Sequence, residues 1–341
     1  MHFRPLTAFL LLLANGPLVA QPAAGRSITL YSQRHYAVDR ELFRQFEETT
    51  GIAVKVEQGD TEQLLQRLAE EGKHSPADLL ITVDAGAIWE ARERGLLQAA
   101  DSPVLRTNVP SALRDAAGYW VALTKRPRVL VYHRERTRPE ELPTYESLTE
   151  PAWHGRVAVR SSASAYNQTL LAGMIARIGE PEARNWAAGV VANFVRVPVG
   201  NDRTQIRAVA DGQADVALVN AYYLGLMQNA DQASVREQVA NLAIVFPNQA
   251  DRGTHVNLSV AALAKHSPRP DLAVRLLEFL TSEPAQTALA ANNYEYPVNP
   301  RVVWPDNLQA WGRFKEDLLP PSSIGFYQAQ ARRLFAETGW P

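Results

Sequence analysis

Three short clusters carry phenols beside other polar groups: Tyr31-Ser32-Gln33-Arg34-His35-Tyr36, Arg160-Ser161-Ser162-Ala163-Ser164-Ala165-Tyr166-Asn167-Gln168, and Asn220-Ala221-Tyr222-Tyr223. A single tyrosine usually packs its ring in a core or at an element end and lets its hydroxyl reach a partner or water. Three such clusters, each following a predicted strand, form a different pattern. The serine-rich segment adds its own chemistry, because hydroxyls and free backbone N–H groups at a helix start bind carbonate, phosphate or carboxylate. Ser162 and Ser164 are the candidate anion contacts, and Arg126 and Arg128, flanking Pro127, are candidates to meet the same anion. The competing reading leaves those arginines solvated at a surface. Catalytic patterns are missing: there is no G-x-S-x-G elbow, H-E-x-x-H, P-loop or G-x-G-x-x-G, and no cysteine to act as a nucleophile. The seven histidines are scattered, which leaves little material for a zinc or copper site.

The elements that would position these clusters follow from periodicity. Ser27 to Tyr31 reads as a strand, Asp39 to Thr50 as a helix with Leu42, Phe43 and Phe46 on one face, and Gly51 as its end. Ile52 to Val56, the capped helix Thr61 to Glu71 and the buried strand Asp78 to Val83 continue the alternation, which means an α/β fold with a parallel sheet. A second strand set comes from Val129 to Tyr132, Arg156 to Val159, Val195 to Val197 and Asp215 to Val219, with helices near Ser164 to Arg177 and Arg203 to Ala210. This predicts a second α/β lobe. Without a low-complexity linker, the lobes should join through crossing segments near Lys125 to Tyr132 and Ile244 to Val260. In open α/β sheets the carboxyl ends of the strands face the ligand crevice, so the three clusters are expected to converge there.

The amino terminus has the layout of a cleavable secretory signal: Arg4, the apolar run Leu6 to Leu13, the breaker Asn15-Gly16-Pro17 and small residues at Ala20, Ala23 and Ala24. Its apolar core is about half the ~20 residues that span a bilayer. No cysteine follows it for lipid attachment, so the expectation is a freely diffusing periplasmic protein without a membrane anchor. Removing residues 1–20 deletes one positive charge, Arg4, from 35 Lys and Arg; 34 against 36 Asp and Glu leaves a net charge of −2. Nothing in that balance suggests a nucleic-acid partner.

The segments ITLYSQRHY, SPADLLITVDAG, ALTKRPRVLVYH, ADVALVNAYY and PNQADRGTHVNLSVAAL together resemble the ferric-iron-binding proteins of bacterial and cyanobacterial ABC importers, over nearly the whole mature chain. The resemblance implies an α/β, two-lobed periplasmic-binding-protein fold of type II, with a hinge of two crossing strands. Its lobes would be residues 26–126 with 250–300 and residues 127–249 with 301–341, after a signal peptide over 1–25. It implies Fe3+ as the cargo, a small synergistic anion such as carbonate in some members, an ABC transporter permease as partner, and a monomer with no enzymatic activity. In the tyrosine-rich branch the ligand positions carry over to His35 and Tyr36, to Tyr166, and to Tyr222 and Tyr223. Other members take an acidic ligand from the segment that reads Thr82-Val83-Asp84-Ala85-Gly86 here, so Asp84 is either a ligand or a cap. His35 either ligates iron or orients Tyr36 through a hydrogen bond.

The chemistry agrees with the resemblance. Ferric iron is small, hard and triply charged and favours anionic oxygen over thiolate, and this chain has clustered tyrosines and no cysteine. A phenol ionises near pH ~10, so the metal's own charge would have to expel the protons at neutral pH. A binding protein of the same fold for thiosulfate, a polyamine or a phosphonate is the alternative. Such sites call for basic groups, carboxylates or an aromatic box.

Overall fold

The computed structural model describes residues 26–341, and the expected signal peptide lies outside the described residues. Strand β1 (Ser27–Ser32) leads into α1 (Ala37–Thr50), whose apolar stripe Val38, Leu42, Phe43 and Phe46 is buried. Gly51 ends that helix with φ 67, and its amide donates to the Glu47 carbonyl at 2.8 Å. Next come β2 (Ala53–Gln58) and α2 (Thr61–Glu71), where the Asp60 carboxylate accepts the Gln63 amide as a cap. Then follow β3 (Leu79–Thr82), α3 (Ala85–Glu93), β4 (Leu97–Gln98), α4 (Pro103–Asn108) and the long strand β5 (Val121–His133).

The second half holds β6 (Val157–Ala158), α5 (Ala165–Ile178), α6 (Glu180–Ala192), α7 (Asp202–Ala210), β7 (Val216–Asn220), α8 (Ala221–Gln228), α9 (Ala233–Gln238) and β8 (Leu242–Val245). The chain returns through β9 (Thr254–Ala264), α10 (Pro270–Leu280), α11 (Glu283–Asn293) and β10 (Tyr296–Pro297). It closes with α12 (Asp306–Gln309), β11 (Glu316–Asp317) and α13 (Pro321–Glu337).

The main sheet path runs β2-β1-β3-β9-β5-β7-β6. The first three pair in parallel, as expected from their alternation with helices, and β9 joins β3 antiparallel. Strand β5 changes partners midway: its residues up to Pro127 pair with β9, and from Arg128 onward they pair with β7 and β8. Pro127 has no amide hydrogen to offer a ladder, which suits a changeover point. The chain therefore crosses between the two α/β halves along β5 and again from β8 to β9. A third passage leads from β10 to α13, which buries Ile324, Ala331, Leu334 and Phe335 in the same apolar cluster as Leu170, Leu171 and Met174 of α5.

One expected strand is absent. Val195 to Val197 forms no ladder; a single bridge joins Phe194 to Val157, and Val197 is 70% exposed. The β-branched spacing is right for a strand, but β6 is only two residues long and offers no edge to extend along.

Candidate metal centre

All three clusters lie where a strand hands over to a helix. Tyr36 follows β1 and stands at the N-cap of α1; its amide donates to Asp39 Oδ2 at 3.3 Å. Arg34 grips the same carboxylate with Nε and Nη2 and reaches Glu295 with Nη1 and Nη2, each at 3.0 Å, which fixes the turn that presents Tyr36. Tyr166 is the second residue of α5, whose N-cap is Ser164. Tyr222 and Tyr223 occupy the first turn of α8, directly after β7. On a strand adjacent side chains would point to opposite faces, whereas the helix start places these two rings side by side with centroids 4.1 Å apart. Gly225 lets α8 approach the body of the protein: a Cβ there would lie 2.4 Å from Cγ of Tyr294.

The four phenols meet. The Tyr36 hydroxyl is 2.8 Å from that of Tyr222, and the Tyr166 hydroxyl is 3.5 Å from it. All four side chains are buried, and Tyr36, Tyr166 and Tyr223 line a pocket of about 280 Å³ together with His35, Arg160 and Arg203. A cavity of similar size beside Tyr119 and Trp120, about 270 Å³, carries none of these phenols.

Burial pushes the phenols of Tyr36, Tyr222 and Tyr223 above their ordinary value, and the Arg126 guanidinium pulls the first two back only in part. Without a cation these three keep their protons at neutral pH. Arg126 is fully buried, and Glu295 beside it holds it in the charged form against the cost of burial. Its charge lies 5.2 Å from the Tyr222 ring centroid and 5.7 Å from that of Tyr36, and Nη1 is 3.4 Å from the Tyr166 hydroxyl. Arg203 sits 5.2 Å over the Tyr223 ring. Clustered phenols next to guanidinium groups can shed protons to a strongly charged cation without building up a large net negative charge.

Five buried side-chain atoms in or beside the cluster have no hydrogen-bond partner: Arg126 Nη2, Arg128 Nε, Arg160 Nε, Ser164 Oγ and Asn220 Nδ2. Unpartnered buried polar atoms are costly, and of these residues Arg160 also lines the pocket.

The remaining expected residues divide. His35 lies at the pocket rim, exposed, with its ring stacked 5.0 Å from that of Tyr36 at 24°. Its Nδ1 is 3.4 Å from the Gln33 carbonyl, so stacking takes the place of an orienting hydrogen bond to Tyr36. Asp84 caps α3 by accepting the Ala87 amide at 2.9 Å. Ser164 keeps a free hydroxyl near the cluster, while the Ser162 amide donates to the carbonyl of Pro341 at 2.6 Å. Arg126 reaches the phenols, but Arg128 spends its terminal nitrogens on Asp202, Asn167 and Asn220, which removes it as an anion contact. The counter-ions Glu295 and Asp202 were not anticipated from sequence, since a lone carboxylate with distant partners leaves no local pattern.

Among the described residues no group of three or more His, Cys, Asp or Glu is placed to hold a metal, so the donor set on offer is phenolic. No helix among them is long and apolar enough to cross a membrane.

Comparison with known proteins gives a consistent picture. Residues 74–315 match the family of bacterial extracellular solute-binding proteins. "Iron uptake protein A1" of Synechocystis is 44% identical over 96% of this chain and 91% of its own length. A Trichodesmium protein solved in complex with iron and citrate superposes with a TM-score of 0.87 at 40% identity, covering 92% of this chain and all of that one. The ferric binding protein from Campylobacter jejuni gives a TM-score of 0.89 at 38% identity over the same shares.

Proposed function

We propose, from the premise that this chain belongs to the bacterial extracellular solute-binding protein family, that it captures ferric iron in the cleft between its two lobes and delivers it to the permease of an ABC importer. The observation that carries this reading is the convergence of four tyrosines: the Tyr222 hydroxyl lies 2.8 Å from that of Tyr36 and 3.5 Å from that of Tyr166, beside a pocket lined by Tyr36, Tyr166 and Tyr223. Relatives named for iron uptake and ferric iron binding support it, and as binding proteins they support a role other than catalysis.

The phenolates of Tyr36, Tyr166, Tyr222 and Tyr223 are the ligands in this account, with His35 at the rim able to swing onto the metal. Three phenolates neutralise Fe3+, and a fourth leaves one negative charge that faces Arg126. A small anion such as carbonate would use the free Ser164 hydroxyl and the Arg126 guanidinium. Asp84 is a helix cap. The lobes are residues 26–126 with 250–300 and 127–249 with 301–341; the change of partners along β5 at Pro127 supports that division. The chain acts as a periplasmic monomer released from its signal peptide, with no membrane anchor.

The rival solutes meet the wrong groups. A polyamine would need carboxylates facing the pocket, but Glu295 and Asp202 are fully buried in ion pairs with arginines. Thiosulfate or a phosphonate would leave four phenols with nothing to ligate. Metal analysis of protein purified from its native periplasm tests the proposal. About one iron per chain is the expected result; a metal-free protein carrying an organic solute would refute it.

A further inference from the structure

We infer that Arg128 is a positioning residue that sets the three second-lobe phenols as one unit; the inference rests on the iron-binding reading above. Arg128 follows Arg126 by two residues on β5, so both side chains leave the same face of the strand. Their partners differ. Arg126 approaches the phenol hydroxyls directly, whereas Arg128 lies 5.9 Å from the Tyr166 ring centroid, hydrogen-bonds none of the hydroxyls and holds their neighbours in sequence.

Arg128 Nη2 donates to Asn167 Oδ1 at 2.6 Å, and Asn167 is the residue after Tyr166. Arg128 Nη1 donates to Asp202 Oδ1 at 2.7 Å and to Asn220 Oδ1 at 3.2 Å, and Asn220 is the N-cap from which Ala221, Tyr222 and Tyr223 start α8. The same Asp202 oxygen accepts the Asn220 amide at 3.0 Å, while its other oxygen accepts Arg160 at 3.0 Å. Asn167 closes the loop by donating to the carbonyls of Arg160 and Ser161. One fully buried guanidinium thus ties together the amino ends of α5, α7 and α8, and with them Tyr166, Tyr222 and Tyr223.

Stability alone does not account for such an arrangement. A buried ion pair loses so much hydration that well-packed apolar side chains often hold a fold as well or better. Apolar contacts, however, cannot set the rotation of two helix starts to the tolerance a metal shell requires, and a planar five-donor fork can. Lysine gathers its three donors on one nitrogen and cannot reach acceptors that are held here by two separate nitrogens of the fork.

The test uses the full mature chain, with ferric citrate as the probe and the tyrosinate-to-iron absorption band as the readout. Arg128→Lys is expected to weaken iron binding by about tenfold or more, as losing an outer-shell partner of a metal site does, and to displace the band maximum. In a Tyr166→Phe background the same exchange should cost clearly less, because one ligand it positions has gone. Equal fold-losses in both backgrounds with an unmoved band would overturn the inference. Should Arg128→Lys fold poorly, Asn167→Ala keeps the ion pair and is expected to lose affinity and band intensity much as Tyr166→Phe does. Asn193→Ala is the control, a buried asparagine bonded to the carbonyls of Leu148 and Glu150. It should lower the melting temperature and leave the band unchanged; if it weakens iron binding as much as Asn167→Ala, the effect is one of general stability and the inference fails. An unmodified chain that gives no such band sinks the iron-binding reading, and this inference with it.

Discussion

The hydroxyl of Tyr36 lies 2.8 Å from that of Tyr222, across 186 residues of sequence. Tyr36 hangs from the turn after β1 and Tyr222 from the first turn of α8, so this contact joins the two halves of the molecule at the pocket. Between neutral phenols such a contact is worth only about 1 kcal/mol. On the reading proposed above, a trivalent cation between the same two oxygens would displace both phenol protons and form two ionic contacts, and that difference would favour closure on the ligand.

Tyr222→Phe keeps the ring against its neighbours and removes the oxygen. Iron affinity should fall by more than the ~10–100-fold that an outer-shell change costs, while the metal-free protein loses about 1 kcal/mol or less. Titration with ferric citrate alongside urea unfolding separates the two. Tyr223→Phe should behave the same way; early melting with normal iron binding would make the pair a packing feature.

Iron uptake should release protons. Burial holds the phenols of Tyr36, Tyr222 and Tyr223 above their usual value, so each enters the complex by giving up a proton it carries at neutral pH. Affinity must then rise with pH and fall in acid. Calorimetry in buffers of different ionisation enthalpy should count about three or four protons per iron. A count of zero would mean that the phenols do not ligate.

Glu295 is the buried counter-ion of both Arg34 and Arg126. Burial would raise its carboxyl, but the two guanidinium groups outweigh that and bring it down to about 2. Its folded value is therefore depressed, so its contribution is complete above the unfolded value of ~4.3 and is lost as pH falls from there toward 2. Glu295→Gln leaves two buried cations short of a partner and should cost about 3–5 kcal/mol at neutral pH. Urea unfolding should also show a shallower acid loss in the variant over that window. Unchanged stability would show that water or Asp39 already satisfies the arginines.

Small-angle scattering follows the lobes. With ferric citrate at neutral pH the radius of gyration should drop relative to the metal-free protein, and near pH ~5 the difference should shrink as protons compete for the phenolates. Equal dimensions with and without iron at both pH values would mean that the metal does not clamp the cleft.

Local chemistry made the helix starts and strand ends legible, and the rest depended on distant partners. The apolar stripe of α1, the Gly51 stop and the Asp60 cap can all be read within a few residues, and so can the tyrosines that follow β1 and β7. Val195 to Val197 had the right residues for a strand but lacked a neighbour, which no local pattern reveals. Glu295 meets Arg34 across 261 residues and Arg126 across 169. Asp202 meets Arg128 across 74. Each is a single carboxylate whose role exists only after folding. Arg128 read more readily as a surface cation than as an anion contact, and its three acceptors make it neither.

The central claim is that one ferric ion is held by phenolates from both lobes, and an absorbance titration with ferric citrate tests it most directly. The account predicts a tyrosinate-to-iron band that saturates at about one equivalent in the unmodified chain. The band should be weakened and shifted in Tyr36→Phe from one side of the cleft and in Tyr223→Phe from the other. A chain that binds iron without such a band, or whose band in both variants is unchanged from that of the unmodified chain, would contradict it.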